Sequence, residues 1–142
     1  MENFKIDEVY GMHNWPGVEL GKFAIRSGPF FAASDFIEAT ISGKGGHAAK
    51  PQETIDPTVI ASQIVVALQT IASRRADPVK QVVVSVTSFE TSSNAFNVIP
   101  QEVKIKGTVR TLDPEVRDLA EKEFLRITKL TAEALGLSLI HI

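Results

Sequence analysis

The sequence has no cysteine among its 142 residues. This absence excludes a disulfide framework and any metal site built on thiolate ligands. Long hydrophobic runs are also missing, because the longest apolar-rich stretch, VIASQIVVAL, is interrupted by Gln63 and is too short to span a bilayer. The N-terminal stretch MENFKIDEVY lacks the apolar centre of a signal peptide. We therefore expect a cytoplasmic protein without a membrane partner.

No charge of either sign dominates the chain. The 15 basic and 17 acidic side chains leave a formal net charge of -2, which does not suggest a nucleic-acid partner. The sequence also lacks a glycine-rich phosphate loop, a GxSxG nucleophile elbow and an HExxH zinc helix. The sequence therefore does not predict a P-loop nucleotide-binding enzyme, an α/β-hydrolase or an HExxH metalloprotease. The fold is predicted from the periodicity of apolar residues.

The residues from Phe36 onward alternate between strand and helix patterns. FIEATIS, VVVSVTSF and EVKIKGTVRTL are strand-like, and the first and last of these alternate apolar and polar residues with period two. Two stretches with helical spacing follow Asp-Pro pairs, at Asp56 and Asp113, which are good helix starts. The apolar stripes of the two helices are Ile60, Ile64, Leu68 and Ile71, and Val116, Ala120, Phe124 and Ile127.

With a short final strand in LSLIHI, the order becomes strand, helix, strand, strand, helix, strand. This order predicts an α+β fold, a ferredoxin-like βαββαβ domain whose two helices cover one face of a four-stranded antiparallel sheet. Before it, EVYGM (8–12) and GKFAIR (21–26) look like two further strands. A ferredoxin-like order also occurs in RNA-binding modules, but the candidate strands lack the paired aromatic residues of those modules.

Two of the three histidines lie where sites are often built. His13, in YGMHNWPG, follows a probable strand and could bind zinc, or it could be a turn histidine that bonds backbone. His47, in GKGGHAAKP, is surrounded by glycines that permit positive φ and close backbone approach. It could donate to a substrate carbonyl or a developing oxyanion, or it could be an exposed residue on a flexible loop.

Two further polar residues are candidates for substrate contacts. Asn97, in NAFNVIP, could bind an amide or a carboxylate, although asparagine more often serves a turn. Arg110, in GTVRT, could hold a carboxylate with two hydrogen bonds, or it could be a solvated arginine beside Lys104 and Lys106. Each residue alone is a weak signal.

Together, YGMHNWPG, GKGGHAAKP with TIDP, NAFNVIP and GTVRT resemble the ordered motifs of the M20 metallopeptidases. The likeness is greatest to the amidohydrolase branch with hippurate hydrolase and the N-acyl-amino-acid amidohydrolases. The resemblance implies a catalytic α/β domain with two metal ions, zinc or manganese, and an inserted ferredoxin-like lid that forms a homodimer. It also implies that residues 1–33 are the end of a catalytic segment and residues 34–142 the lid.

The resemblance assigns a role to each candidate. It implies that His13 is a metal ligand, and that His47 reaches the active site of the neighbouring subunit and steadies the tetrahedral intermediate. It further implies that Asn97 binds the substrate and that Arg110 lies near the substrate's carboxylate. The implied reaction is hydrolysis of the amide bond of an N-acyl amino acid.

The sequence also departs from the family pattern. The upstream metal-binding motifs, the adjacent glutamates and the C-terminal catalytic segment have no counterpart here, so the remaining metal ligands are absent. LSLIHI does not resemble the family's last lid strand, which suggests truncation or a foreign tail, and His141 therefore carries no predicted role. We expect an incomplete enzyme that is inactive alone; the alternative is a stand-alone dimerisation module without catalysis.

Overall fold

The computed structural model describes residues 5–137, and the chain divides after Phe30 into two units that are described separately. In the first unit, the strands expected at 8–12 and 21–26 do not form. The backbone of both segments is irregular, and short turns lie between them or at the start of the second, for example where Lys22 N donates to Glu19 O over 3.0 Å. These two predictions are wrong because a strand needs a neighbouring strand for its backbone hydrogen bonds, and neither segment has one among the described residues.

The second unit contains a three-stranded antiparallel sheet, a separate two-stranded ladder and two long helices. A 3₁₀ turn at Pro51–Glu53 precedes the first helix and a π-helical turn at Ile71–Arg75 follows it. The bounds in chain order are β1 Ala33–Ser42, β2 Gly46–His47, α1 Pro57–Leu68, β3 Val82–Thr91, β4 Val98–Ile99, β5 Glu102–Thr111 and α2 Pro114–Ala134.

The larger sheet has the strand order β1-β5-β3, so β5 is central and pairs with both neighbours. Alternation along β5 separates a buried face from a polar face: Val103, Ile105 and Val109 are at most 4% exposed. The two apolar helical stripes, both predicted from periodicity, pack in the same core: Ile60, Ile64, Leu68, Ile71, Ala120, Phe124 and Ile127. The two predicted helices and the three long strands predicted before them and between them are therefore confirmed.

Capping sets the starts of both helices as predicted. The carboxylate of Asp56 accepts from Thr58 N over 2.8 Å, and that of Asp113 accepts from Glu115 N over 2.9 Å. Each aspartate is followed by a proline at the first helical position. After α2, Gly136 adopts φ +94°, a left-handed conformation that glycine takes without a Cβ clash. Each helix therefore begins at an Asp-Pro pair that the sequence already showed.

The four-stranded sheet is found only in part. The described residues contribute three strands to the main sheet, and the expected last strand falls in LSLIHI, of which residues 138–142 lie outside the described range. The β2/β4 ladder was not predicted, because a two-residue pairing produces no periodic pattern. Between residues 5 and 137, no helix is long and apolar enough to cross a membrane.

Candidate functional site

The glycine-rich loop between β1 and β2 packs tightly against its own chain. A Cβ at Gly43 would lie 2.2 Å from the carbonyl oxygen of Ile55, and one at Gly45 would lie 2.7 Å from that of Ile99. Neither glycine has a positive φ. The expected close backbone approach is therefore found at Gly43 and Gly45, and the positive φ that glycine also permits is not.

Gln101, just before β5, fixes this loop through three hydrogen bonds. Its side-chain Nε2 donates to Gly43 O over 2.5 Å, its Oε1 accepts from Gly45 N over 3.0 Å, and its backbone oxygen accepts from Gly43 N over 2.9 Å. Sequence reasoning missed this residue. Its partners lie more than fifty positions away in the chain, so only its position directly after the NAFNVIP motif could have drawn attention to it.

The structure brings His47 and Asn97 together. In the β2/β4 ladder His47 lies opposite Val98, and Ala48 N donates to Asn97 O over 2.9 Å. Both His47 and Asn97 are exposed. Residues 46–49 and 95–98 therefore form one exposed surface feature, which we call the tip. Two motifs that are about fifty residues apart in the sequence meet there.

Hydrogen bonding in the tip sets the tautomer of His47. Ala49 N donates to its Nδ1 over 3.1 Å. In a neutral imidazole, a nitrogen that accepts leaves the proton on the other ring nitrogen. The Nε2–H of His47 is then a hydrogen-bond donor on an exposed side chain, which is the form needed to bind a carbonyl oxygen or an oxyanion.

Arg110 lies at the other end of the sheet. On the same polar face, Lys104 pairs with Glu38 at 3.2 Å and Lys106 pairs with Glu90 at 3.1 Å. Arg110 is exposed and forms no ion pair with any acidic side chain of residues 5–137. The basic face is thus neutralised except at Arg110, whose guanidinium is available for an anion.

The distance along β5 separates Arg110 from the tip. Arg110 lies eight residues after Glu102, the first residue of β5, which corresponds to roughly 26 Å along a strand. The tip lies beyond the Glu102 end, because β4 and Gln101 immediately precede β5. A single copy of this domain therefore does not bring Arg110 to His47 and Asn97.

His13 belongs to the first unit, where it is exposed and outside any helix or strand. Throughout the described range, no three His, Asp or Glu side chains form a cluster that could hold a metal ion. Residues 5–137 therefore do not provide the ligand set of a complete metal centre. A metal bound by His13 would need ligands beyond those that residues 5–137 group together.

The most perturbed carboxylate lies outside the candidate site. Glu123 on α2 is 6% exposed and forms ion pairs with Arg126 at 2.7 Å and Arg75 at 2.9 Å. Hydrogen bonds from Arg126 and then Arg75 lower its pKa from the ordinary 4.5 to about 2. This cluster ties the π-helical turn after α1 to α2, so we interpret it as a stabilising contact of the fold.

Comparison with known proteins identifies the family. The family model of the peptidase dimerisation domain, M20_dimer, matches residues 34–134. The chain belongs to the M20 peptidase family. The match begins at the second residue of β1 and ends with α2, so this M20 domain coincides with the second structural unit. The motif resemblance seen in the sequence is thereby confirmed.

Curated M20 relatives extend the match across nearly the whole chain. It is 46% identical to the N-acyl-L-amino acid amidohydrolase of Geobacillus stearothermophilus over 94% of its length, which is 36% of that relative. It is 41% identical to the hippurate hydrolase of Campylobacter jejuni, with 94% of this chain and 34% of the relative covered. The chain thus spans about a third of the length of these relatives.

A solved structure gives the same result. A dinuclear metal binding peptidase of the M20 family from Bacillus subtilis is 31% identical, with a TM-score of 0.64 over 87% of this chain and 29% of that structure. This likeness supports the fold of the second unit, and the family follows from the match of the family model to residues 34–134. The homologues are M20 amidohydrolases and peptidases.

Proposed function

We propose that this chain supplies the lid and dimerisation domain of a metal-dependent amidohydrolase that cleaves the amide bond of N-acyl amino acids. The observation that carries the proposal is the tip, where the β2/β4 ladder presents His47 and Asn97 together and exposed. The names of the two curated relatives, N-acyl-L-amino acid amidohydrolase and hippurate hydrolase, state hydrolysis of substrates of this class. Because those relatives are enzymes, they favour catalysis over a stand-alone dimerisation module.

His47 stabilises the reacting carbonyl. Its Nε2–H donates to the carbonyl oxygen of the scissile amide and holds the negative charge that develops on this oxygen during attack by water. Removing one such donor typically lowers the rate by about 10²–10³-fold. Asn97, fixed beside it through the bond from Ala48 N to its backbone oxygen, offers a side-chain amide to the same substrate.

Arg110 binds the carboxylate of the amino-acid part. Two N–H groups of a guanidinium match the two oxygens of a carboxylate, and Arg110 has no acidic partner among residues 5–137. Since roughly 26 Å of β5 lies between Arg110 and the end of the strand near the tip, one small substrate cannot contact both groups of one lid. We infer that each lid serves two active sites, with His47 entering that of the second copy.

The homodimer forms through α1 and β3. The exposed face of α1 carries no charge and includes Val59, Ser62, Gln63 and Val66. β3 is an edge strand with one charged residue, Glu90, whereas sheet edges that avoid pairing usually carry several charges or a proline. α1 and β3 are also in contact. The exposed face of α1 and the edge of β3 are therefore both nearly uncharged, which suits them to contact with a second copy of this chain.

The first unit belongs to the catalytic domain. Val9, Tyr10, Phe23 and Ile25 are each more than 80% exposed in this chain, as expected of a segment that packs against the rest of such a domain. His13 contributes one ligand to its metal ions, zinc or manganese. The complete enzyme is cytoplasmic.

The lid of the complete enzyme has a fourth strand. In a ferredoxin-like sheet with the order β1-β5-β3, the place of this strand is beside β1.

The experiment uses a hybrid enzyme in which this chain replaces the matching segment of the Geobacillus relative. We expect His13→Ala to abolish hydrolysis of hippurate and His47→Ala to lower its rate by about 10²–10³-fold. Mixing the two variants should restore activity in about a quarter of the sites, because half of the resulting two-fold dimers combine an intact His13 with an intact His47 from the other subunit.

Two controls accompany the mixing experiment. Sedimentation must show that both variants remain dimeric. Each variant alone, taken through the same mixing procedure, must keep its own low rate of hippurate hydrolysis. If hippurate turnover does not return in the mixed sample, His47 does not act in the second subunit. If His47→Ala keeps full activity, the proposed catalytic role of the lid is wrong.

A further inference from the structure

The tip carries one side chain for which neither the fold nor the roles of His47 and Asn97 account. Phe96 has a relative exposure of 106%, so no residue of 31–137 shelters its ring. It occupies a corner of the turn that Val98 N closes by donating to Ala95 O over 3.3 Å. Turn corners favour glycine, proline, asparagine, aspartate and serine. Turn chemistry therefore does not explain a phenylalanine at this position.

The position of Phe96 is fixed rather than loose. On one side, Ala95 N donates to Ser93 Oγ over 3.3 Å, and Ser92 N donates to Glu102 O over 3.0 Å at the end of the main sheet. On the other side, Ala48 N donates to Asn97 O over 2.9 Å. The backbone that carries Phe96 is thus held within the same tip as His47. An aromatic side chain has only two χ angles, so ordering it on binding costs little conformational entropy.

Two variable parts of an N-acyl amino acid have no assigned partner, the acyl substituent and the amino-acid side chain. The acyl substituent is bonded directly to the carbonyl that is assigned to His47, whereas the amino-acid side chain lies next to the carboxylate that is assigned to Arg110, so a ring in the tip is suited to the acyl substituent. We propose that Phe96 is a specificity-determining residue that packs against the acyl group of the substrate in the active site of a second copy. This inference rests on the proposed function. It implies a preference for aromatic acyl groups, which offer a matching apolar face.

The test uses the hybrid enzyme and two substrates that share an amino acid, N-benzoylglycine and N-acetylglycine. The second unit has its own hydrophobic core, so we expect it to fold within the hybrid. In Phe96→Ala, we expect kcat/KM for the benzoyl substrate to fall about tenfold and that for the acetyl substrate to change less than about twofold. Phe96→Leu should show a smaller loss with the benzoyl substrate.

Val79→Ala is the control, because Val79 is 86% exposed in the turn before β3, away from the tip, and it should leave both values unchanged. Thermal unfolding and sedimentation must show that Phe96→Ala folds and dimerises. Equal losses for both substrates, or no loss for either, would overturn the acyl-group role, since a ring that packs only on protein does not distinguish acyl groups.

His47→Ala separates this inference from the proposed function. A fall in kcat of similar size for both substrates supports the role of His47 whatever happens at Phe96. Unchanged activity in His47→Ala contradicts the proposed function, and with it the role of Phe96. A folded, dimeric and metal-loaded hybrid with an intact Phe96 that hydrolyses neither substrate overturns both.

Discussion

In the glycine-rich loop, contacts of the backbone limit which residue can stand at a position and where it lies. Gly43 and Gly45 show this most directly, because backbone atoms occupy the space that a Cβ would need. His47 is placed by that packing and by Gln101, not by contacts of its own ring with a core. The position of His47 therefore depends on Gly43, Gly45 and Gln101. We expect substitutions at these three residues to displace the tip.

Gly43→Ala should destabilise the domain. The new Cβ would lie 2.2 Å from Ile55 O and 2.8 Å from Pro57 Cδ, so the start of α1 must move, at a cost of about 1–3 kcal/mol. Urea unfolding followed by circular dichroism measures the loss. Gly11→Ala is the matched control, because a Cβ added there would have no atom within 4 Å and the φ of Gly11 is not positive. An unchanged midpoint for Gly43→Ala would contradict the tight packing.

Glu123 should make the domain sensitive to acid. Hydrogen bonds from Arg126 and Arg75 lower its pKa from 4.5 to about 2, so the folded state keeps the carboxylate ionised where the unfolded chain takes up a proton. The stabilisation is complete above about pH 4.5 and is lost as the pH falls towards 2. Urea midpoints measured across this range should fall in the unmodified chain and fall less in Glu123→Gln.

Glu121→Gln is the control for the acid titration, since Glu121 is an exposed carboxylate on the same helix. It should retain the acid sensitivity of the unmodified chain. Asp35, whose pKa is lowered by Arg117, also contributes to the loss of stability in acid. Glu123→Gln therefore removes only part of the slope, and an identical slope in the two proteins would show that the Glu123 cluster contributes nothing.

At the scale of elements, regular helices and strands were predictable and the short ladder was not. α1 and α2 have both an apolar stripe and an Asp-Pro start, and β1 and β5 alternate with period two. β2 and β4 have two residues each and are joined only by long-range pairing. Local propensity thus sufficed for the long elements, whereas the tip depends on contacts between distant segments.

The cap of α1 offers a direct test of this local control. Asp56→Ala removes the acceptor of Thr58 N and should cost about 1 kcal/mol. Asp56→Asn keeps a capping oxygen and should cost much less, which makes it the matched control. Both values come from urea unfolding. Equal losses for alanine and asparagine would indicate that the charge of Asp56, rather than its cap, supports the helix.

For the whole molecule, the distribution of charge over the surface suggests how copies assemble. The outer face of α1 and the edge of β3 are nearly uncharged, whereas the exposed face of α2 carries acidic and basic residues throughout. Because the outer face of α1 and the edge of β3 carry almost no charged residues, we expect a second copy of the chain to cover them. This contrast provides a matched pair of substitutions.

Val66→Glu on α1 should convert the dimer to a monomer, since it places a charge in the proposed interface. Leu130→Glu on α2 is the control, because Val66 and Leu130 are 66% and 48% exposed on different helices. Sedimentation of both variants over a range of concentrations checks the prediction. A monomer for Leu130→Glu and a dimer for Val66→Glu would place the interface on α2 instead.

The sequence by itself determined the family, the helices with their caps, and the three long strands, because periodicity, Asp-Pro pairs and ordered motifs are local features. It also singled out His47, Asn97 and Arg110 as candidates. Only the tertiary structure decided that His47 and Asn97 meet at one tip while Arg110 lies at the far end of β5. It also showed that the two segments expected as strands in residues 5–30 have no regular secondary structure. The physical reason is the same in each case: strand pairing joins residues far apart in the chain, and a strand without a partner does not form.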